Sequence, residues 1–119
     1  MAAVPLNLQP TTTKEFLIAM RDNILQYGWC QRAYYIDEKG DGFSLTGVST
    51  KYIKGCCLVG AMQLVRADMR LHAEAFISIR NEVDKKDQLG SPLIEWNDMP
   101  GRTKEEVVAM LDKLIGEQP

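Results

Sequence analysis

The sequence predicts a mainly α protein of the α+β class, a compact bundle of four to five helices carrying one small β hairpin. Two observations supply the helices: apolar residues recur at helical spacing over most of the chain, and two Thr-x-x-Glu capping signatures stand directly before such runs. The third supplies the hairpin, a single Gly- and Asp-rich stretch with β-forming residues on both sides. With 119 residues the chain is the size of one domain, able to bury a core without metal or disulfide staples. A single domain over residues 1–119 is expected, with 1–11 as an extended, proline-punctuated arm.

Each element has its own signal. Thr12 to Glu15 reads as a capping box, Phe16, Leu17, Met20, Ile24 and Leu25 form the apolar stripe of the helix behind it, and Gly28 is its stop. Tyr35-Ile36 and Phe43-Ser44-Leu45 then flank the turn residues Asp37 to Gly42. That acidic turn is not a calcium loop. Lys39 stands where a ligand is needed, and the twelfth position is Val48 rather than Glu. From Tyr52 to Val65 the chain is almost continuously small or apolar, which predicts a buried second helix, with Gly55 at its entrance and Gly60 against a partner backbone. Leu71, Ala75, Phe76, Ile79 and Val83 give an amphipathic third helix, and residues 84–90 a charged loop. Ser91-Pro92 opens a short helix, and Thr103 to Glu106 caps a last one that runs to Gly116.

Composition sets the function classes. The hydrophobic fraction of 45% and charged fraction of 25% are those of an ordinary globular protein. Fourteen Lys and Arg against sixteen Asp and Glu give a net charge of −2, with the signs interspersed. The pairs Lys51/Lys54 and Lys85/Lys86 are too short for a phosphate-tracking face, so no nucleic-acid partner is expected. No apolar run approaches the ~20 residues of a membrane span, and the start of the chain lacks a signal-peptide pattern. The expectation is a cytoplasmic protein with no membrane partner. Three cysteines, two of them adjacent, fit reduced thiols, and without CxxC or Cys/His spacing no metal and no cofactor is expected.

Three constellations could carry chemistry. In Leu93 to Thr103, LIEWNDMPGRT, Trp96 is expected to cover the core, Asn97 to take a left-handed turn, Asp98 to accept backbone N–H groups or pair with Arg102, and Pro100-Gly101 to redirect the chain. The same residues can be read as a ligand pocket of Gln31, Trp96, Asn97, Asp98 and Arg102. Cys56 or Cys57 at a helix start is a candidate nucleophile, which would need His72, the only histidine, as base and Asp98 or Asn97 as orienter. Burial as small hydrophobes is the plainer role for both thiols, and His72 is expected at the surface. Arg32, Tyr34, Tyr35 and Tyr52 cluster around the hairpin and have the residue types of a partner-facing surface.

The blocks GWCQ, GCCLVGAM and EWNDMPGRTKEEVVAMLDKLI resemble a family of short, uncharacterised bacterial and bacteriophage proteins, over most of the chain from Thr13 to Ile115. The pattern positions are Trp29, Gln31, Cys57, Leu58, Gly60, Ala61, Trp96, Asn97, Asp98, Arg102 and Thr103. The resemblance implies a phage or mobile-element origin and imports no activity. The expected function is a non-enzymatic interaction or regulatory protein that binds an unidentified partner protein or forms a homodimer. Two alternatives stay open: a thiol-dependent hydrolase or transferase with Cys57, His72 and Asp98, and a small-ligand sensor with its pocket at Trp96, Asp98 and Arg102.

Overall fold

The computed structural model of the protein describes residues 9–44, 49–83 and 92–119. Helix α1, Thr13–Tyr27, starts where Thr12 accepts the N–H of Glu15. The reciprocal half of the capping box is displaced by one residue, because the Glu15 carboxylate accepts from the N–H and hydroxyl of Thr11 at 2.9 Å each. Gly28 ends the helix at φ 94, and a Cβ there would lie 2.9 Å from Lys54 O, so both backbone angle and space demand glycine.

The hairpin forms from β1, Tyr35–Ile36, and β2, Gly42–Phe43, antiparallel in the register Tyr35 opposite Phe43. Its turn is held by Asp37 Oδ1, which accepts the N–H groups of Lys39 and Asp41 at 2.9 and 3.0 Å. The second limb starts one residue earlier than expected, at Gly42, and Leu45 lies outside the described residues.

The expected long helix from Tyr52 to Val65 is four pieces instead. Thr50–Tyr52 is a single 3-10 turn, Gly55–Cys56 is a third strand, β3, Cys57 is an N-cap, and Leu58–Gln63 is a six-residue helix, α2. β3 pairs with β1 antiparallel, so the sheet order is β2-β1-β3 with β1 in the centre. Cys56 also exchanges backbone hydrogen bonds with the segment after α1, donating to Gly28 O and accepting from Cys30 N. A run of buried apolar residues satisfies a strand between two chains as well as it satisfies a helix, and here backbone groups on both sides select the strand. Gly60 does lie against a partner backbone, since an added Cβ would collide with Tyr34 O.

Helix α3, Met69–Val83, begins at Asp68, whose side chain accepts the N–H of Leu71 at 2.9 Å. Pro92 opens α4, Pro92–Asn97; Ser91, its expected cap, and the expected loop at 84–90 lie outside the described residues. Thr103 and Glu106 make the full capping box of α5, Lys104–Glu117, which runs one residue past Gly116. The core lies where α1 meets α2, α3 and α5, around Phe16, Leu17, Met20, Leu58, Ile79 and Leu111. No described helix is long and apolar enough to cross a membrane.

Candidate functional site

Three stretches far apart in sequence meet at Asn97, the last residue of α4, which is fully buried. Its Oδ1 accepts from the Trp29 indole N–H at 2.7 Å and from Leu58 N at 3.1 Å. Its Nδ2 donates to Cys30 O at 3.1 Å and to Asp98 Oδ1 at 2.9 Å. The full capacity of the amide is used. Leu58 is the first residue of α2, so Asn97 also satisfies a helix-start donor that has no partner within its own helix. The Asn97 carbonyl accepts in turn from Gln31 Nε2 at 3.0 Å, and the same amide nitrogen donates to Met99 O at 3.0 Å.

Asp98 extends this knot outward. Its Oδ1 accepts the Arg32 N–H at 2.9 Å, and Arg32 sits at φ 66, alone among the described non-glycine residues in having a positive φ. The left-handed turn expected at Asn97 is therefore at Arg32, and Asp98 restrains it through the backbone. Asp98 does not pair with Arg102.

Beside the knot is a cleft of about 260 Å3 lined by Arg32, Ala33, Tyr34, Cys57, Ile94 and Asp98. Arg32 and Asp98 share it without forming an ion pair, and among the described residues neither the Arg32 guanidinium nor Asp98 Oδ2 makes a hydrogen bond. Ala33 and Ile94 carried no signal in the sequence. Their place in the wall follows from the turn at Arg32 and from Ile94 preceding Asp98 by one helical turn, with Asp98 N donating to Ile94 O.

The three thiols are buried and hydrogen-bonded. Cys57 Sγ accepts the Gly60 N–H at 3.3 Å, the Cys30 thiol donates to Ala33 O and the Cys56 thiol to Gly28 O. Burial raises all three, Cys30 and Cys56 to about 12, with proximity of the thiols to one another adding to it. At Cys57 burial again dominates, opposed by N–H groups at the start of α2. Cys57 and Asp98 are brought together in the cleft, but His72 is not with them. It is half-buried on α3, its ring set edge-on against Phe16 at 4.7 Å between centroids, rather than at the surface.

The other expected residues separate as well. The Arg102 guanidinium stacks on Trp96 at 3.9 Å, its Nε donates to Trp96 O, and its Nη1 pairs with Glu106 at 3.3 Å. Trp96 and Arg102 line a different cavity with Glu82, Glu106 and Lys113, so the expected pocket of Trp96, Asp98 and Arg102 does not assemble. Tyr35 is 1% exposed, with its hydroxyl donating to Gly60 O, and cannot belong to a contact surface. Burial also pushes its hydroxyl pKa upward. Arg32, Tyr34 and Tyr52 are exposed, the last with Lys51 over its ring. Among the described residues no cluster of His, Cys, Asp or Glu could hold a metal ion.

No curated protein and no solved structure matches the chain. One family model does, over residues 8–117, and the protein belongs to that family, a family of unknown function (DUF6197).

Proposed function

We propose that this protein is a non-enzymatic binding module whose working surface is the cleft formed by residues 31–34 and the end of α4. The observation that carries the reading is the pairing of a rigid floor with an unsatisfied rim. The Asn97 knot fixes the backbone of three segments, and the cleft above it presents Arg32, Tyr34 and an unpaired oxygen of Asp98. Fully hydrogen-bonded scaffolds under exposed Tyr and Arg are the arrangement from which binding hot spots are built. The partner is a protein of the bacterial cytoplasm in which the chain, or the phage that encodes it, is expressed.

Self-association is a further route. Most of the apolar central segment, Leu58, Ala61 and Met62 included, is buried in the core. A homodimer would use the outer face of α3, where Met69, Ala73 and Ile77 are exposed at one-turn spacing.

The thiol-enzyme alternative has less support. Cys57 spends its sulfur as a helix cap, burial disfavours its thiolate, and the one histidine packs on Phe16.

The test is affinity capture from host lysate under reducing conditions, with Tyr34→Ala as the control surface and Tyr35→Ala avoided because it would open the core. A stoichiometric partner lost with Tyr34→Ala supports the module and its surface. Capture that is unchanged by Tyr34→Ala, or absent, removes the cleft from the reading.

A further inference from the structure

The cleft combines two charges of opposite sign with apolar walls, and that combination selects a ligand. Arg32 and Asp98 both line it, yet they are not ion-paired with each other, so each charge remains available to a bound molecule. A purely cationic ligand would meet Arg32 and a purely anionic one would meet Asp98. Only a ligand carrying both charges satisfies both groups and leaves the occupied site neutral. Ile94, Ala33 and the Tyr34 ring supply apolar contact between them. The volume of about 260 Å3 falls just below the roughly 300 Å3 at which sites for drug-sized molecules begin.

We infer that the cleft binds a free apolar α-amino acid, its ammonium group on Asp98, its carboxylate on Arg32 and its side chain between Tyr34 and Ile94. The inference rests on the cleft being the working surface. It assigns that surface a small effector in addition to a protein partner.

The left-handed backbone at Arg32 is consistent with this assignment. A non-glycine residue at φ 66 is held there by a specific bond, Arg32 N–H to Asp98 Oδ1, which ties the two charged residues into one unit. A ligand that engages both therefore meets an Asp98 carboxylate and an Arg32 backbone already fixed against each other, and the ordering left to binding is that of the Arg32 side chain, whose guanidinium makes no hydrogen bond among the described residues.

The experiment is calorimetric titration of the intact protein with L-leucine, L-methionine and L-phenylalanine, beside leucinamide, which keeps only the cation, and 4-methylpentanoate, which keeps only the anion. An apolar amino acid should bind at least tenfold, and up to about a hundredfold, more tightly than either single-charge analogue, the range expected for losing one charge-assisted hydrogen bond. Asp98→Asn is the informative variant. It keeps an acceptor for Arg32 N–H and Asn97 Nδ2 while removing the negative charge, so the melting temperature should hold while leucine affinity falls to that of the anionic analogue. Arg32→Met should reduce it to that of leucinamide. Equal binding of leucine and its analogues, or no binding by any amino acid at millimolar concentration, overturns the inference. A protein partner captured in a Tyr34-dependent way alongside that negative result would leave the binding module standing without the amino-acid site.

Discussion

Replacing Asn97 with alanine would strip Trp29 Nε1, Leu58 N and Cys30 O of their partner at once, all at part-buried or buried positions. Each orphaned buried group costs about 1–3 kcal/mol, so the expected loss is about 3 kcal/mol or more, read as a lower urea midpoint. Asn97→Asp is the sharper probe, because it keeps the acceptor side and places an oxygen against Cys30 O and Asp98. It should also destabilise strongly, and less so as acid protonates the new carboxyl. The thiols set the behaviour at the other end of the pH scale. An unfolded cysteine ionises near 9.0, whereas Cys30 and Cys56 hold their protons to about 12. Between those values the folded chain binds more protons than the unfolded one. This stability is therefore complete below 9.0 and is lost as pH rises toward 12. The loss is on the order of 1 kcal/mol per thiol for each pH unit in that window, so urea midpoints measured on either side of it should diverge. Native thiols should likewise resist iodoacetamide at neutral pH and react only with the unfolded chain.

At the scale of the elements, glycine and caps decide the outcome. Gly60→Ala gains up to about 1 kcal/mol of helix propensity, yet its Cβ would strike Tyr34 O, a backbone atom pinned by Cys57 N–H. The net effect should be destabilising by about 2 kcal/mol or more, visible in thermal melts. Thr103→Ala removes a complete capping box and should cost about 1 kcal/mol. Elements of this kind were legible in the sequence because their signals are local: both helix starts, the Gly28 stop, the Asp37 turn and the amphipathic stripe of α3. The third strand was not legible. Gly55-Cys56 becomes a strand only because Ile36 on one side and Gly28 to Cys30 on the other offer backbone partners, and nothing within a few residues of Cys56 encodes them. The site divides in the same way. Trp29, Gln31, Asn97 and Asp98 stood out as residue types, but Asp98 faces Arg32 and Cys57 while Arg102 turns to Trp96, a separation that depends on tertiary placement.

Across the whole molecule, the first and last helices are packed together. α1 lies against α5, joined at the surface by Arg21 and Asp112 at 2.9 Å, while Lys113 reaches Glu82 on α3 at 2.7 Å. These exposed pairs contribute little, and the apolar contacts between the helices contribute most. The strands have only two residues each, too short to stand as an independent sheet, so the sheet depends on helices that precede and follow it. Unfolding should therefore be one cooperative step, with helical circular dichroism and Trp fluorescence sharing one midpoint in urea. The Asn97 knot gives this cooperativity a direction in time. Trp29, Cys30 and Leu58 are synthesised long before the amide that satisfies them, and the buried face of α1 is made before the α5 face that covers it. On the ribosome the growing chain therefore holds an unfinished interior until α4 and α5 have emerged, and a product truncated before α4 would be left with no native state to reach.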